Sequence, residues 1–367
     1  VIVLAPRAIS FVRLATDMRT LRVERRLTVE TGMKAIRMRR LGGPEELRLE
    51  EVEAPVPGDG EVVIRVHAAG LNYAEVLLRD GRLPGAPSLP FTPGYEAAGV
   101  ITAVGSGVAH LRSGARVVAM LPNQGAFAEL ALAPASLITP IPDGLPFDKA
   151  VALLNQAPTA LAALRIAARV QDGDAVFIPA ASGGVGSFLV QLTRRFGARR
   201  VIAGASTEEK RALARRLGAD IAIDYTRVDW PERVREVTEG RGADVVFERS
   251  GGDIFAQSLR ALAPRGRLVV FGADSPLGTQ VNGEQLMRMT YQNQALVGFS
   301  LPALPSDVQA AALREAFELV AKSELEVISQ TFALGELADA HRAMEQRKTS
   351  GKVVILPDAS PRREFPV

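Results

Sequence analysis

Cysteine is absent from all 367 residues. That absence excludes disulfides, thiolate catalysis and every zinc site built on sulfur. Histidine is nearly as scarce. His67, His110 and His341 lie far apart in the chain and offer no two-His spacing on one helix, so no metal is expected. No apolar run reaches the roughly 18–20 residues that a membrane span needs, and no apolar stretch leads into a small-residue cleavage site. The expectation is a soluble cytoplasmic protein with no membrane partner.

A folded basic face is missing as well. The formal net charge is +3, and residues 1–32 account for it with six arginines against Asp17, Glu24 and Glu30. From Met33 onward the charges balance, so the excess sits on a terminal segment and no nucleic-acid partner is expected. The segment is Arg-rich with Ser and Thr, as a transit peptide would be. The plainer expectation is a disordered extension ahead of Met33-Lys-Ala-Ile.

What the sequence does contain is a change of rhythm. Residues 33–154 carry short β-like runs such as Glu61–Val66, Ala97–Val104 and Arg116–Ala119. Turn signals such as Pro57-Gly58-Asp59-Gly60 separate them, which predicts a compact antiparallel β domain. Over 155–301 strand and helix alternate: strands at Ala175–Pro179, Val201–Ala203, Ile221–Ile223, Asp244–Phe247 and Arg267–Phe271, with helices between. This spacing predicts a parallel sheet with helices on both faces. Residues 302–367 predict a long helix to about Ser323, a strand at Ile328–Phe332, a helix at Gly335–Gln346 and a last strand at Gly351–Leu356. That ending reads as a return to the first domain.

Between the first parallel strand and its helix lies Ala180-Ala-Ser182-Gly183-Gly184-Val185-Gly186. A dinucleotide pyrophosphate needs glycine at such a turn, because a Cβ would hold it off the backbone. The helix N-terminus then supplies free N–H groups and the positive end of a dipole. NAD-binding folds usually carry an acidic residue about 20 residues on, at the end of the second strand. Here that position is Ser206, with Lys210 one turn later. A hydroxyl and a cation suit a 2′-phosphate, so the expected cofactor is NADPH. Glu208 and Glu209 are expected to be solvated residues of the first helical turn.

Several further stretches, in this order and spacing, complete a pattern with the glycine turn. They are Ala69–Glu75, Pro93–Val100, Val104–Val108, Gly114–Val118 and Ser350–Val354. From Met33 to Pro357 the chain resembles the zinc-independent medium-chain dehydrogenase/reductases, specifically the quinone oxidoreductase group. The resemblance implies a Rossmann doubly wound sheet inserted into a GroES-like mostly-β catalytic domain, and a homodimer joined at the nucleotide-domain sheets. Gln294–Ser300 is the candidate edge strand for that pairing. It also implies hydride transfer from NADPH to a quinone or α,β-unsaturated carbonyl. An enoyl-thioester reductase and a non-catalytic NADPH-binding protein share the scaffold and remain open.

By the same resemblance Asn72 lies near the nicotinamide ribose and the substrate, and Thr159 faces the nicotinamide. Ser206, Lys210 and Tyr225 form the 2′-phosphate set. Ser250, Phe271-Gly272-Ala273 and Phe299-Ser300 line the rest of the cofactor, with Arg347 or Lys352 reaching it from the C-terminal strand. The proton for the reduced product comes from water, the Tyr73 hydroxyl or Glu75. Zinc enzymes of the superfamily carry Cys near position 72 and Gly-His-Glu near 94–96; this chain has Asn72 and Gly94-Tyr95-Glu96. It also has Leu77 and Leu83 where pocket tyrosines are common, implying a more apolar pocket. Glu248-Arg249 departs from the usual Asp followed by a small or apolar residue.

Overall fold

Period-2 and buried apolar runs settle as two large sheets and a two-stranded hairpin. In the computed structural model the described residues are 32–358 apart from 84, 86, 273–275 and 278. The N-terminal extension expected at 1–32 therefore lies outside them, except for Gly32, which opens a strand.

Among the described residues a six-stranded parallel sheet runs, from edge to edge, through Ile221–Asp224, Arg200–Ala205, Ala175–Ile178, Ala243–Glu248, Leu262–Phe271 and Ala295–Phe299. Chain order reverses between the Ala175–Ile178 and Ala243–Glu248 strands, which makes the gap between their C-terminal ends the ligand-binding switch point. Both strands are buried along their whole length, as a sheet covered on two faces requires. One face packs on helices through Phe188, Leu189 and Phe317, the other through Trp230, Phe255 and Leu259.

The second sheet has seven strands, six on its main path and one beside it, drawn from both ends of the chain. Glu61–Leu71 is its central member. It pairs with Glu96–Val104 on one side and with the late strand Lys352–Leu356 on the other, and Leu130–Pro134 pairs with it as well. A hairpin of Gly32–Met38 with Leu47–Glu53 closes over it. The interior is apolar, with Ile64, Val66, Leu71 and Phe127 fully buried.

Residues Phe147–Ala168 join the two sheets. By length and composition this helical stretch could cross a membrane, but 78% of its 18-residue apolar window is buried inside the protein. Phe147–Leu154 packs on the second sheet, and Gln156–Ala162 packs on the Gly184–Thr193 and Ser306–Ala321 helices. One apolar cluster therefore runs from Ala68 and Val118 through Leu153 and Leu161 to Val176 and Phe188. The C-terminal edge of the parallel sheet and the rim of the second sheet consequently face each other across a cleft.

Candidate functional site

The cleft holds about 530 Å³. Its floor at the switch point is the turn that ends at Gly183, followed by the helix Gly184–Thr193. A Cβ on Gly186 would stand 2.3 Å from the Ala180 carbonyl oxygen, so the turn can tighten only with glycine there. Gly351 makes the second tight approach. Its N–H donates to the Ser182 carbonyl at 2.7 Å, its φ is +66°, and a Cβ would meet the Ile328 carbonyl oxygen at 2.2 Å. This one contact ties the returning C-terminal strand to the nucleotide turn.

At one end of the cleft Ser206, Lys210, Tyr225 and Arg347 come together. Thr207 caps the Glu208–Arg216 helix by accepting from the Lys210 backbone N–H. The Lys210 ammonium donates to the Arg347 carbonyl. Burial, and then the neighbouring Arg347 cation, push the Lys210 pKa down, and among the described residues no carboxylate offsets them. Glu208 is occupied by Arg211 and Arg215 on the outer face of the helix, and neither it nor Glu209 lines the cleft. Two adjacent cations with free donors and no counter-charge fit a phosphate group, and with the glycine turn they fit a phosphorylated dinucleotide.

The opposite end is buried and charge-matched. Asn72 ends the Glu61–Leu71 strand's run and caps the helix Tyr73–Arg79. Its Nδ2 donates to Glu96 Oε1 at 2.8 Å, and its Oδ1 accepts from Gln156 Nε2 and from Lys352 Nζ, both at 2.7 Å. Lys352 Nζ lies 2.6 Å from Glu96 Oε2, an ion pair without hydrogen-bond alignment, since that oxygen accepts no hydrogen bond. Both side chains are essentially inaccessible. These contacts fix which way the Asn72 amide faces, so its remaining N–H has one direction available.

Glu75 lies behind this network. Its Oε2 accepts from the Asn72 backbone N–H at 2.6 Å, as the N3 residue of a capping box does, and its Oε1 from the Tyr95 N–H at 3.1 Å. Burial, and then the nearby Glu96 carboxylate, raise its pKa to about 7. Two buried carboxylates share one ammonium here, so the site retains a proton near neutrality.

Of the residues expected from the sequence, the structure brings Asn72, Tyr73, Thr159, Ser182, Gly183, Gly184, Val185, Ser206, Lys210, Tyr225, Ser250, Phe271, Gly272, Phe299, Ser300, Arg347 and Lys352 to the cleft wall. Gly186 shapes the turn from inside. Ala273 lies outside the described residues. Glu75 does not line the cleft; the capping geometry turns it inward. Lys352 reaches the wall, but its ammonium is held by Glu96 and Asn72. The Tyr73 hydroxyl lies beside Arg82 and interacts with it. Leu77 and Leu83 do not shape the pocket either: Leu77 is fully buried and Leu83 packs against the interior of the second sheet. The apolar wall comes instead from Phe271, Phe299, Leu301 and Pro302. Sequence reasoning missed Gln156 and Glu345, whose roles depend on partners distant in sequence.

The donor set does not suit zinc. The chain has no cysteine, and the buried Glu96 is already matched by an ammonium and an amide. Among the described residues no three His, Asp or Glu side chains gather.

Comparison with known proteins agrees with this geometry. The family described as "Alcohol dehydrogenase GroES-like domain" matches residues 58–143, and that described as "Zinc-binding dehydrogenase" matches 184–318. A "Quinone oxidoreductase" of Pseudomonas aeruginosa is 36% identical over 327 residues, covering 88% of this chain and 99% of that protein. A "2-haloacrylate reductase" of a Burkholderia species is 35% identical over 331 residues, covering 87% and 97%. The crystal structure of Escherichia coli quinone oxidoreductase complexed with NADPH superposes with a TM-score of 0.81 at 30% identity, covering 88% of this chain and 100% of that one. With motifs, fold and relatives in agreement, the chain belongs to the zinc-independent medium-chain dehydrogenase/reductases, in the quinone oxidoreductase family.

Proposed function

We propose that the chain is a zinc-free, NADPH-dependent reductase that delivers hydride to a quinone or an α,β-unsaturated carbonyl. The observation that carries this is the polarity of a single cleft: uncompensated cations at one end, a glycine turn on a helix N-terminus in the middle, and a fixed amide at the other. Lys210, Arg347, Ser206 and Tyr225 hold the 2′-phosphate, and the Gly183–Gly186 turn holds the pyrophosphate. Bound there, NADPH supplies the hydride. The protein's own share is orientation and exclusion of water.

Asn72 presents its remaining amide N–H toward the reacting end, in an orientation set by Glu96, Gln156 and Lys352. Phe271, Phe299 and Leu301 supply a flat apolar wall for a conjugated acceptor. Among the described residues Glu75 is turned inward and Glu345, which does line the cleft, is held by Arg79, so the product takes its final proton from water. Relatives named quinone oxidoreductase and 2-haloacrylate reductase support this substrate range, and the Escherichia coli complex supports NADPH. The reading places the enzyme in the cytoplasm, where that cofactor pool is reduced.

We also propose a homodimer through the sheet edge. Ala295–Phe299 is an edge strand, and Leu286, Met287, Tyr291 and Leu296 beside it are exposed. An open apolar edge of this kind calls for a partner.

The test is a titration with NADPH and with NADH followed by nicotinamide fluorescence, then addition of 1,4-benzoquinone or 2-cyclohexenone. Tight NADPH binding with oxidation on either acceptor is the expected result. Tight binding with no turnover on both acceptors would sink the reductase reading.

A further inference from the structure

Among the described residues four cations line the cleft: Lys210, Arg249, Arg347 and Lys352. Lys352 is neutralised by Glu96. Lys210 and Arg347 stand at the end that receives the 2′-phosphate. Arg249 stands apart. It follows the strand Ala243–Glu248, on the far side of the switch point, and its Cβ lies 3.9 Å from where a Cβ on Gly272 would be. Among the described residues it makes no hydrogen bond or ion pair. Among the described residues the one carboxylate on the cleft wall, Glu345, is held by Arg79 at 2.6 Å.

The loop that carries Arg249 is fixed. Glu248 is wholly buried, and its Oε1 accepts from the Ser250 N–H at 2.6 Å and the Gly251 N–H at 2.9 Å. The backbone on both sides of Arg249 is thereby tied down, and the guanidinium is offered from a rigid base. Phe271 and Phe299, at the ends of the next two strands of the sheet, line the same cleft, and an apolar wall strengthens an ionic contact made within it. A planar guanidinium with a free fork matches a carboxylate in two hydrogen bonds.

We propose that Arg249 is a specificity-determining residue that receives the carboxylate of an α,β-unsaturated acid in the nicotinamide half of the cleft. The proposal rests on the reductase reading above and narrows its substrate class. In the reaction the substrate β-carbon takes the hydride and its two electrons, and its π bond to the α-carbon opens. The α-carbon takes a proton from water, while the dihydronicotinamide is oxidised. Anionic chemistry at Arg249 has a second source, the cofactor pyrophosphate on the adjacent strand's turn, and the test separates the two.

The experiment compares wild type with Arg249→Gln and Arg249→Lys. The substrates are 2-chloroacrylate, its uncharged methyl ester and 1,4-benzoquinone, and NADPH affinity is measured alongside. The expected result in Arg249→Gln is a fall in kcat/KM on the acid of about 10- to 100-fold, the range of a charge-assisted bidentate contact. The ester, the quinone and NADPH affinity should be unchanged, and Arg249→Lys should recover part of the loss. Equal losses on acid and ester, or weakened NADPH binding, would overturn the proposal and give Arg249 to the cofactor. Reduction of the quinone by wild type with no reduction of the acid would overturn it and leave the reductase reading intact. If wild type reduces nothing, the reductase reading fails instead. The carboxylate site is then decided by binding: 2-chloropropionate should perturb NADPH fluorescence saturably in wild type and not in Arg249→Gln, and identical responses would overturn it.

Discussion

The two ends of the cleft solve opposite electrostatic problems. Around Lys210 and Arg347 like charges crowd together at a solvent-accessible rim, and among the described residues no carboxylate offsets them. Around Asn72 the charges are withdrawn from water and matched internally, Lys352 against Glu96, with amides filling the remaining donor and acceptor positions. The first arrangement is completed by its ligand, so its cost is carried by the free protein and relieved on binding. The second is complete beforehand, so it holds a geometry and does not depend on the ligand to create it. Affinity and cofactor choice should therefore depend on the first end, and turnover on the second.

The largest expected effect comes from removing the matched charge. Lys352→Met leaves Glu96 buried and unpaired, which should lower stability by about 3–5 kcal/mol and abolish turnover. Adding Glu96→Gln should restore much of the melting temperature without restoring turnover, because the Asn72 amide has lost its lysine donor. Recovery of turnover in the double variant would show that the pair serves stability alone. Thermal denaturation and steady-state rates on one preparation decide between them.

At the open end the effect should be smaller and selective. Lys210→Ala should weaken NADPH about tenfold or more by fluorescence titration, leave NADH nearly unchanged and leave kcat at saturating NADPH intact. An equal loss for both cofactors would erase the contrast between the two ends.

The smallest effect is a pH dependence hidden by compensation. Glu75 has a folded pKa of about 7 against an ordinary 4.5, so its contribution to stability is full below pH 4.5 and is lost as pH rises toward 7. His341 runs the other way. Burial, and then the Arg79 guanidinium whose Nη1 lies 3.2 Å from its Nδ1, push its pKa down to about 3 from 6.5. Its contribution is full above pH 6.5 and is lost as pH falls toward 3. Between pH 4.5 and 6.5 the two slopes oppose each other. Denaturant midpoints should be nearly flat with pH in wild type, fall with rising pH in His341→Gln, and rise with it in Glu75→Gln. Each slope should be on the order of 1 kcal/mol per pH unit.

Much of this was legible in the sequence wherever the signal is local. The turn at Gly183–Gly186 is bracketed by an apolar run and a helical period, and Ser206 with Lys210 is readable because cofactor charge is sensed within one helical turn. The Gly32–Met38 and Leu47–Glu53 hairpin was not read, because its outer face is charged and its alternation is broken by Glu45, Glu46 and Arg48. The Asn72 network was legible only as a list of residues. Asn72 and Lys352 are 280 positions apart, and no periodicity connects them. Glu75 was misplaced for a related reason. A carboxylate three residues after a helix cap can face a substrate or return to the cap, and packing behind the helix decides which.

The Gly351 contact with Ser182 bears on how the chain is made. The parallel sheet draws all its strands from one continuous stretch, Ala175–Phe299, and can form as soon as that stretch is synthesised. The second sheet cannot: its central strand, Glu61–Leu71, is missing a neighbour until Lys352–Leu356 arrives. During synthesis the nucleotide half would therefore stand folded while the older, N-terminal half waits with an open sheet edge. The last strand to emerge closes that edge and fastens it to the glycine turn in one step, so the enzyme's cleft and its aggregation-prone interval end together.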